Sequence, residues 1–407
     1  MKKVLILTYY FPPSGGAGVQ RWLKFAKYLP EFGWQPTIIT TKDGDYPIID
    51  NSLLDEIPQN IKIIRTKTPS IYNIYAKFMK NGEKVPYGSM QILKNDSIFK
   101  KLSLYIRKNF IIPDARKVWN KHAFLAAKKE LLIRKYDAVI TTGPPHSTHL
   151  IGLKLKTKFG VKWITDFRDP WTKIDYLQDV KRWWCTTYFD KKMEQIVIAK
   201  CDKLISINNA IITDFGVTKK SIRITNGFDS TDFEITKKPS KKFTINYFGN
   251  IIKTRNPMPI YKALKKINLN VELNFYGNID ENLMAENCKN HPYLPHTEML
   301  DKMINSNLLL LIINKTSGNE GIITGKIFEY LAANVPIVGI GPNDGEAAKI
   351  LTETDGGKMF DYHQIDEISK YIELQYEHWE NNKIHNTKCE KYSRRNLTKL
   401  LANFLDK

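Results

Sequence analysis

The strongest constraint in this sequence is an alternation. Short runs rich in Val and Ile are separated by longer stretches with helical periodicity, and glycine-bearing polar clusters follow several of the runs directly. That pattern belongs to α/β proteins with a mostly parallel sheet, whose strands are buried on both faces and joined by helical crossovers. Strands are predicted at 3–8, 37–41, 61–65, 138–142, 162–166 and 203–207, and in a second series at 243–248, 271–276, 308–313 and 336–340. The first helix reads almost residue by residue: Val19, Trp22, Leu23 and Ala26 recur at i, i+3, i+4, i+7, Leu29 extends the stripe, and Gly33 closes it. Helices of the second series are expected at about 257–267, 298–305 and 326–333, and a helix-compatible segment at about 387–405 comes last.

A chain of 407 residues holds two or three domains at about 100–200 residues each, and the two strand series favour two. Thr225-Asn226-Gly227-Phe228-Asp229 and the polar stretch 236–242 read as the linker. The expected division is 1–232, 240–385 and a terminal helix over 386–407. Open α/β sheets bind ligands outside the carboxyl ends of their strands, so two doubly wound domains would face each other across a ligand-binding cleft.

The polar clusters fall where that rule asks. After the first strand come Ser14, Gly15, Gly16, Ala17 and Gly18, glycines that let backbone approach a ligand and free N–H groups at a helix start; a tight strand-to-helix turn is the alternative reading. The spacing is not that of a dinucleotide fingerprint. His146 follows the fourth strand, and Asp166-Phe167-Arg168-Asp169-Pro170-Trp171 the fifth. Arg168 between two carboxylates fits either a salt-bridged loop or a site. In the second series Gly249 is followed by Lys253 and Arg255, an anion site or a solvated basic loop. The segment Glu320-Gly321-Ile322-Ile323-Thr324-Gly325-Lys326-Ile327-Phe328-Glu329 places a Lys in the first turn of a helix and a Glu one turn further on. A pyrophosphate could take the Lys and the helix start, and the Glu could accept from a diol such as ribose.

As an ordered set, the Gly-Gly loop, Ile224-Thr225-Asn226-Gly227-Phe228-Asp229, the Gly249 turn and Gly325-Lys326-Ile327-Phe328-Glu329-Tyr330-Leu331-Ala332 resemble family 4 glycosyltransferases of the GT-B fold over nearly the whole chain. The Asp-Phe-Arg-Asp-Pro-Trp segment is similar to one in bacterial enzymes that build surface polysaccharides such as O-antigen, lipopolysaccharide or capsule. The resemblance implies two Rossmann-like doubly wound domains, an acceptor domain first and a nucleotide-sugar domain second, with the terminal helix returning to the first. It implies retaining transfer of a hexosyl or N-acetylhexosaminyl group from a UDP- or GDP-linked sugar to a lipid-linked glycan, with no metal and no other cofactor. His146 would contact the donor sugar, and Arg255, with Lys253 as fallback, and Lys326 would neutralise the diphosphate. Glu329 would hold the ribose, with Thr324, Gly325 and Gly249 shaping the donor site. Gly15, Gly16, Gly18, Asp166, Arg168 and Asp169 would lie at the acceptor or in the cleft, the glycines shaping its floor near the diphosphate. The family commonly has two glutamates with seven residues between them. Here the first position is Gly321, so either Glu320 or the backbone N–H groups of residues 322–324 take its place.

The formal charge is +20, from 62 Lys and Arg against 42 Asp and Glu. With only 11 Arg among those cations, and much Ile and Asn, part of the excess fits AT-rich coding. Residues 71–135 nevertheless carry 15 basic side chains against four acidic ones. Within them Phe99, Leu102, Ile106 and Phe110 form a helical stripe, with Lys100, Lys101, Arg107 and Lys108 on other faces. An ordinary surface helix fits this stripe, as does a basic amphipathic helix lying on an anionic membrane. Cys185, Cys201, Cys288 and Cys389 show neither zinc-site spacing nor a disulfide pattern. Met1-Lys2-Lys3 precedes only four aliphatics, too few for a signal peptide, and no run approaches a membrane span. The expected place is the cytoplasm, peripheral to the inner face of the cytoplasmic membrane. A GT-B epimerase or phosphorylase shares the architecture, and a nucleic-acid-binding protein is the alternative that charge suggests. No nucleic-acid-binding motif is present, and no nucleic-acid partner is expected.

Overall fold

The computed structural model describes residues 1–46, 48–69, 105–174, 177, 181–286, 288–292 and 294–407. The chain forms two compact units, residues 1–225 with 398–407, and residues 226–397.

The first unit runs β1 (Lys2–Leu7), α1 (Ala17–Tyr28), β2 (Trp34–Thr41), β3 (Lys62–Thr66), α2 (Asn120–Ile133), β4 (Ala138–Gly143), α3 (Ser147–Phe159), β5 (Trp163–Phe167), α4 (Trp184–Lys200), β6 (Lys203–Ser206), α5 (Asn209–Phe215) and β7 (Ser221–Arg223). Its seven strands are parallel in the order β3-β2-β1-β4-β5-β6-β7. The strand order reverses between β1 and β4, the switch point at which a doubly wound sheet opens a crevice. Close helix-to-sheet packing needs Gly152 on α3, where any Cβ would collide with the Trp163 indole. That indole donates to Thr141 Oγ1 at 2.9 Å.

The second unit runs β8 (Phe243–Phe248), α6 (Met258–Leu264), β9 (Val271–Tyr276), β10 (Cys288–His291), α7 (His296–Ile304), β11 (Leu308–Ile312), α8 (Lys326–Ala332), β12 (Ile337–Ile340), α9 (Glu346–Glu353), β13 (Gly357–Phe360), α10 (Ile365–Glu380) and the first four residues of α11 (Arg394–Asp406). The sheet order is β10-β9-β8-β11-β12-β13, again parallel, with the reversal between β8 and β11. The unbroken apolar run of β11 has a direct reason. Leu308, Leu310 and Ile312 pack into the core on one face of the sheet, and Leu309, Leu311 and Ile313 into the core on the other. Each such side chain, fully buried, contributes about 1.5–3 kcal/mol.

Three strands escape the sequence pattern. β7, β10 and β13 are all edge strands, and short, polar edges carry little of the apolar periodicity that marks a central strand. Two helices are shorter than expected, since α6 stops at Leu264 and α11 begins only at Arg394. The stretch before α11 is held by side-chain contacts instead: Thr387 N donates to Asn334 Oδ1 at 2.7 Å and Thr387 Oγ1 to the Leu331 carbonyl at 2.8 Å. The boundary between the units falls within the expected linker motif, after Thr225, yet the motif is packed. Phe228 is buried in the second core, its N–H donates to the Tyr392 carbonyl at 3.2 Å, and its own carbonyl accepts from Arg394 N at 2.7 Å.

Residues 398–407 belong to the first unit. Leu401, Ala402 and Leu405 are buried, and Asp406 accepts from Lys2 Nζ at 2.7 Å and Trp34 Nε1 at 3.2 Å. Lys162 and Lys203 donate to the last carbonyls of α11, at 2.9 Å to Leu405 and 2.5 Å to Phe404, which suits cations at a helix C-terminus. Of the basic segment, residues 70–104 lie outside the described residues, including Phe99, Lys100, Lys101 and Leu102; residues 105–110 are helical. Among the described residues no helix is long and apolar enough to cross a membrane.

Candidate functional site

In the first unit the glycine loop after β1 and the proline loop after β4 meet at the switch point. Gly16, at φ 94°, holds a backbone conformation that side-chain-bearing residues rarely adopt. Gly15 admits the close approach of Ile48 and Asp50. Gly18 leaves room for Arg168, whose Nη1 would lie 2.6 Å from a Cβ at that position. The guanidinium donates to the carbonyls of Gly18 at 2.6 Å, Gly143 at 3.2 Å and Pro144 at 2.6 Å. Arg168 thus clamps the two loops together from below.

Asp166, expected at the acceptor or in the cleft, lies in the interior of the unit. It is fully buried and ion-paired with Arg21 at 2.8 Å, itself fully buried. Trp22 Nε1 and Thr142 Oγ1 also donate to it, at 2.8 and 2.9 Å. Arg21 and Trp22 read in sequence as parts of an ordinary amphipathic helix. Their polar atoms were detectable only through their partner 144 or 145 residues away. Asp169 instead lines a cavity of this unit.

His146 stands at the start of α3, buried to 6% exposure and stacked on Trp171, ring centroids 5.3 Å apart at 9°. Neither ring nitrogen makes a well-formed hydrogen bond. Burial lowers the pKa to about 3, with the Pro170 carbonyl opposing the shift and the Arg168 charge reinforcing it. The imidazole is therefore neutral at physiological pH. His149, missed in the sequence, lies behind it with Nδ1 2.9 Å from Thr141 Oγ1.

In the second unit, Gly249 follows β8 at φ 122°, and the Lys326 side chain crosses so close above it that a Cβ would collide with the ammonium. Lys326 Nζ lies 3.3 Å from Tyr247 Oη and 4.6 Å from that ring's centroid. Burial pushes its pKa down to about 7, the nearby Arg255 charge adds to the shift, and Glu329 opposes it. Arg255 spans the switch point, donating from Nε to Asn314 Oδ1 at 2.8 Å and from Nη1 to the Asn250 carbonyl at 3.1 Å. The structure thus brings Gly249, Arg255, Lys326 and Glu329 into one place, and adds Tyr247 and Asn314, which no spacing rule marks. Tyr330 supports them from beneath, accepting from Phe248 N at 3.0 Å.

Glu329 lies 3.6 Å from His296 Nε2. Glu320 is exposed in a short 3₁₀ turn over Asn319–Gly321, and Lys253 is exposed in the turn after β8. Thr324 Oγ1 is buried with no hydrogen-bond partner, next to Gly325 at the start of α8. Among the described residues no three His, Cys, Asp or Glu side chains gather in a metal-binding group.

No protein-family model matches the chain, and no curated protein matches its sequence. Solved structures do match. HepE of Anabaena, in complex with UDP and glucose, superposes with a TM-score of 0.63 at 12% identity over 100% of both chains. Sucrose-phosphate synthase of Thermosynechococcus elongatus gives 0.61 at 12% identity, over 100% of this chain and 94% of that one. The lipopolysaccharide outer core galactosyltransferase WaaB, in its apo form, gives 0.59 at 11% identity over 100% and 99%.

The fold is GT-B. Within it, each Rossmann-like unit places its polar residues at the carboxyl ends of its first and fourth strands, where open sheets bind ligands.

Proposed function

We propose that this chain is a retaining glycosyltransferase of family 4, moving a hexosyl or N-acetylhexosaminyl group from a nucleotide-diphosphate sugar to a lipid-linked glycan in cell-surface polysaccharide synthesis. The observation that carries this reading is the packing of Lys326 and Arg255 around the Gly249 turn, with Glu329 one helical turn on. Two cations held in a partly dehydrated place suit a diphosphate leaving group. HepE with UDP, and WaaB as a lipopolysaccharide galactosyltransferase, support the same substrate class.

In the proposed reaction the bond from the sugar's anomeric carbon to the diphosphate oxygen breaks, and its electron pair leaves with the diphosphate. The acceptor hydroxyl oxygen bonds that carbon on the same face, and its proton passes to a departing phosphate oxygen. Arg255 and Lys326 stabilise the charge that builds on the diphosphate. Glu329 accepts from the ribose hydroxyls, exchanging His296 for them. His146, neutral, orients the sugar by a hydrogen bond rather than by charge. Thr324 Oγ1 and the backbone around Gly325 serve where the family's first glutamate is missing, with Glu320 as the alternative.

Nucleoside diphosphate release from UDP- and GDP-sugars, measured with and without a lipid-linked acceptor, tests this. Release that is equal without acceptor would sink it. Lys326→Ala and Glu329→Ala should each lower turnover about 100-fold or more with unchanged circular dichroism; wild-type rates would refute the site.

Attachment to the inner membrane face belongs to the same reading. Phe110 packs edge-on against Trp183 at 4.8 Å, and beside them Trp184, Tyr188 and Phe189 are 82%, 55% and 55% exposed. Lys181, Lys191 and Lys192 flank these rings. Exposed aromatics among lysines suit an anionic interface, where each cation adds about 1 kcal/mol. Co-sedimentation with phosphatidylglycerol vesicles at low salt should fall on Trp184→Ala and on reversing the charges of Lys100 and Lys101.

A further inference from the structure

One buried titratable side chain has no part in the transfer chemistry described above. His149 stands in the first turn of α3, fully buried, its ring against Phe167 with centroids 4.4 Å apart. Burial, then the neighbouring His146 and the Arg168 charge, hold its pKa well below the usual histidine value. The ring is therefore neutral and carries a single proton, on Nδ1 or on Nε2.

The hydrogen bonds decide which. An indole N–H can only donate, and Trp163 Nε1 donates to Thr141 Oγ1 at 2.9 Å. The other partner of that hydroxyl is His149 Nδ1, also at 2.9 Å. Thr141 and Trp163 are fully buried. Were Nδ1 protonated, the Thr141 hydroxyl would receive two donors and its own hydrogen would have no acceptor, a costly state in a dry interior. The hydroxyl hydrogen therefore goes to Nδ1, and the His149 proton sits on Nε2, which has no hydrogen-bond partner. That nitrogen lies beside His146: a Cβ on Gly143 would stand 2.7 Å from His149 Nε2 and 2.8 Å from His146 Nδ1. Two N–H groups brought together across a bare glycine repel, whereas an N–H beside a lone pair attracts, and low local dielectric strengthens both effects. His146 accordingly keeps its Nδ1 lone pair on this side and its proton on Nε2.

We propose that His149 is a positioning residue: with Thr141 and Trp163 it holds His146 as the Nε2–H tautomer, so that His146 gives the donor sugar a hydrogen bond rather than accepting one. The sugar group it meets is then an acceptor, a hydroxyl or carbonyl oxygen. The role at the sugar rests on the transferase reading. The tautomer does not, being a property of the free chain.

Proton–nitrogen correlation spectra of the full chain, labelled at its eight histidines, read the tautomer of each neutral ring. At pH 7 without ligand, His146 and His149 should both be Nε2–H forms. His149→Leu removes the facing N–H and should raise the Nδ1–H population of His146 about tenfold and lower kcat about tenfold, the loss of roughly one neutral hydrogen bond, with UDP affinity unchanged. Thr141→Val should raise the Nδ1–H population of His149 by a similar factor. His149→Gln, whose amide can donate toward His146 in place of Nε2, should restore most of the turnover lost in His149→Leu. An Nδ1–H form of either ring in the wild type, or a His146 tautomer unmoved in His149→Leu, would overturn the proposal; so would a kcat that falls equally in the Leu and Gln variants. Tautomer shifts as expected in a chain that transfers no sugar would defeat the transferase reading and leave the hydrogen-bond relay standing.

Discussion

Lys326 is the residue on which stability and proposed function pull in opposite directions. Its ammonium is held among Tyr247, Arg255 and the Gly249 turn, and its pKa falls from 10.5 to about 7. A lysine whose folded pKa lies below its unfolded value destabilises the fold where both states are charged, below about pH 7, and the penalty fades as pH rises toward 10.5. Lys326→Met should therefore raise the melting temperature of the free protein at pH 6.5 by a few degrees, about 1 kcal/mol, while abolishing donor binding. An arriving diphosphate favours the charged form, so binding above pH 7 takes up a proton. Donor affinity should accordingly weaken as pH rises from 7 to 8.5, by up to tenfold per unit. Calorimetry in buffers of different ionisation enthalpy would show the uptake, and pH-independent affinity would exclude it. His146, at about 3, should add no ionisation to kcat/KM between pH 5 and 8. Asp166 behaves otherwise: Asp166→Ala strands the buried Arg21 and should cost about 3–5 kcal/mol of stability, read by denaturant unfolding.

At the scale of elements, both units place their candidate site residues beside turns that favour glycine. Gly249→Ala meets two penalties, a φ of 122° and collision with the Lys326 ammonium. The strain costs about 1–3 kcal/mol, and displacement of Lys326 should lower donor affinity more than the stability loss predicts. Gly18→Ala pushes on Arg168 and should loosen the β1 and β4 loops together; UDP affinity measured beside melting temperature separates the two variants. These turns were legible in sequence, because strand, Gly and helix follow one another along the chain. What the turns approach was not: nothing in the spacing joins Gly18 to Arg168, or Gly249 to Lys326, residues 150 and 77 positions apart.

For the molecule as a whole, the last ten residues complete the first unit. Truncation after Leu397 removes buried Leu401, Ala402 and Leu405 and the Asp406 partners of Lys2 and Trp34. Thermal unfolding should then begin well below the wild-type midpoint, and an unchanged midpoint would show that the segment contributes nothing. By itself the sequence determined the α/β class, the two strand series, the central strands and the glycine turns, because hydrophobic period and turn chemistry are local properties. The tertiary structure decided the rest: that Phe228, beside the boundary between the units, is buried in a core, that Asp166 and Arg168 brace loops from inside, and that four cations, Arg107, Lys108, Arg116 and Arg182, dispersed over 75 residues, line one cavity. Those facts depend on which distant strands lie side by side, and a parallel sheet with long crossovers sets that only once the whole chain has folded.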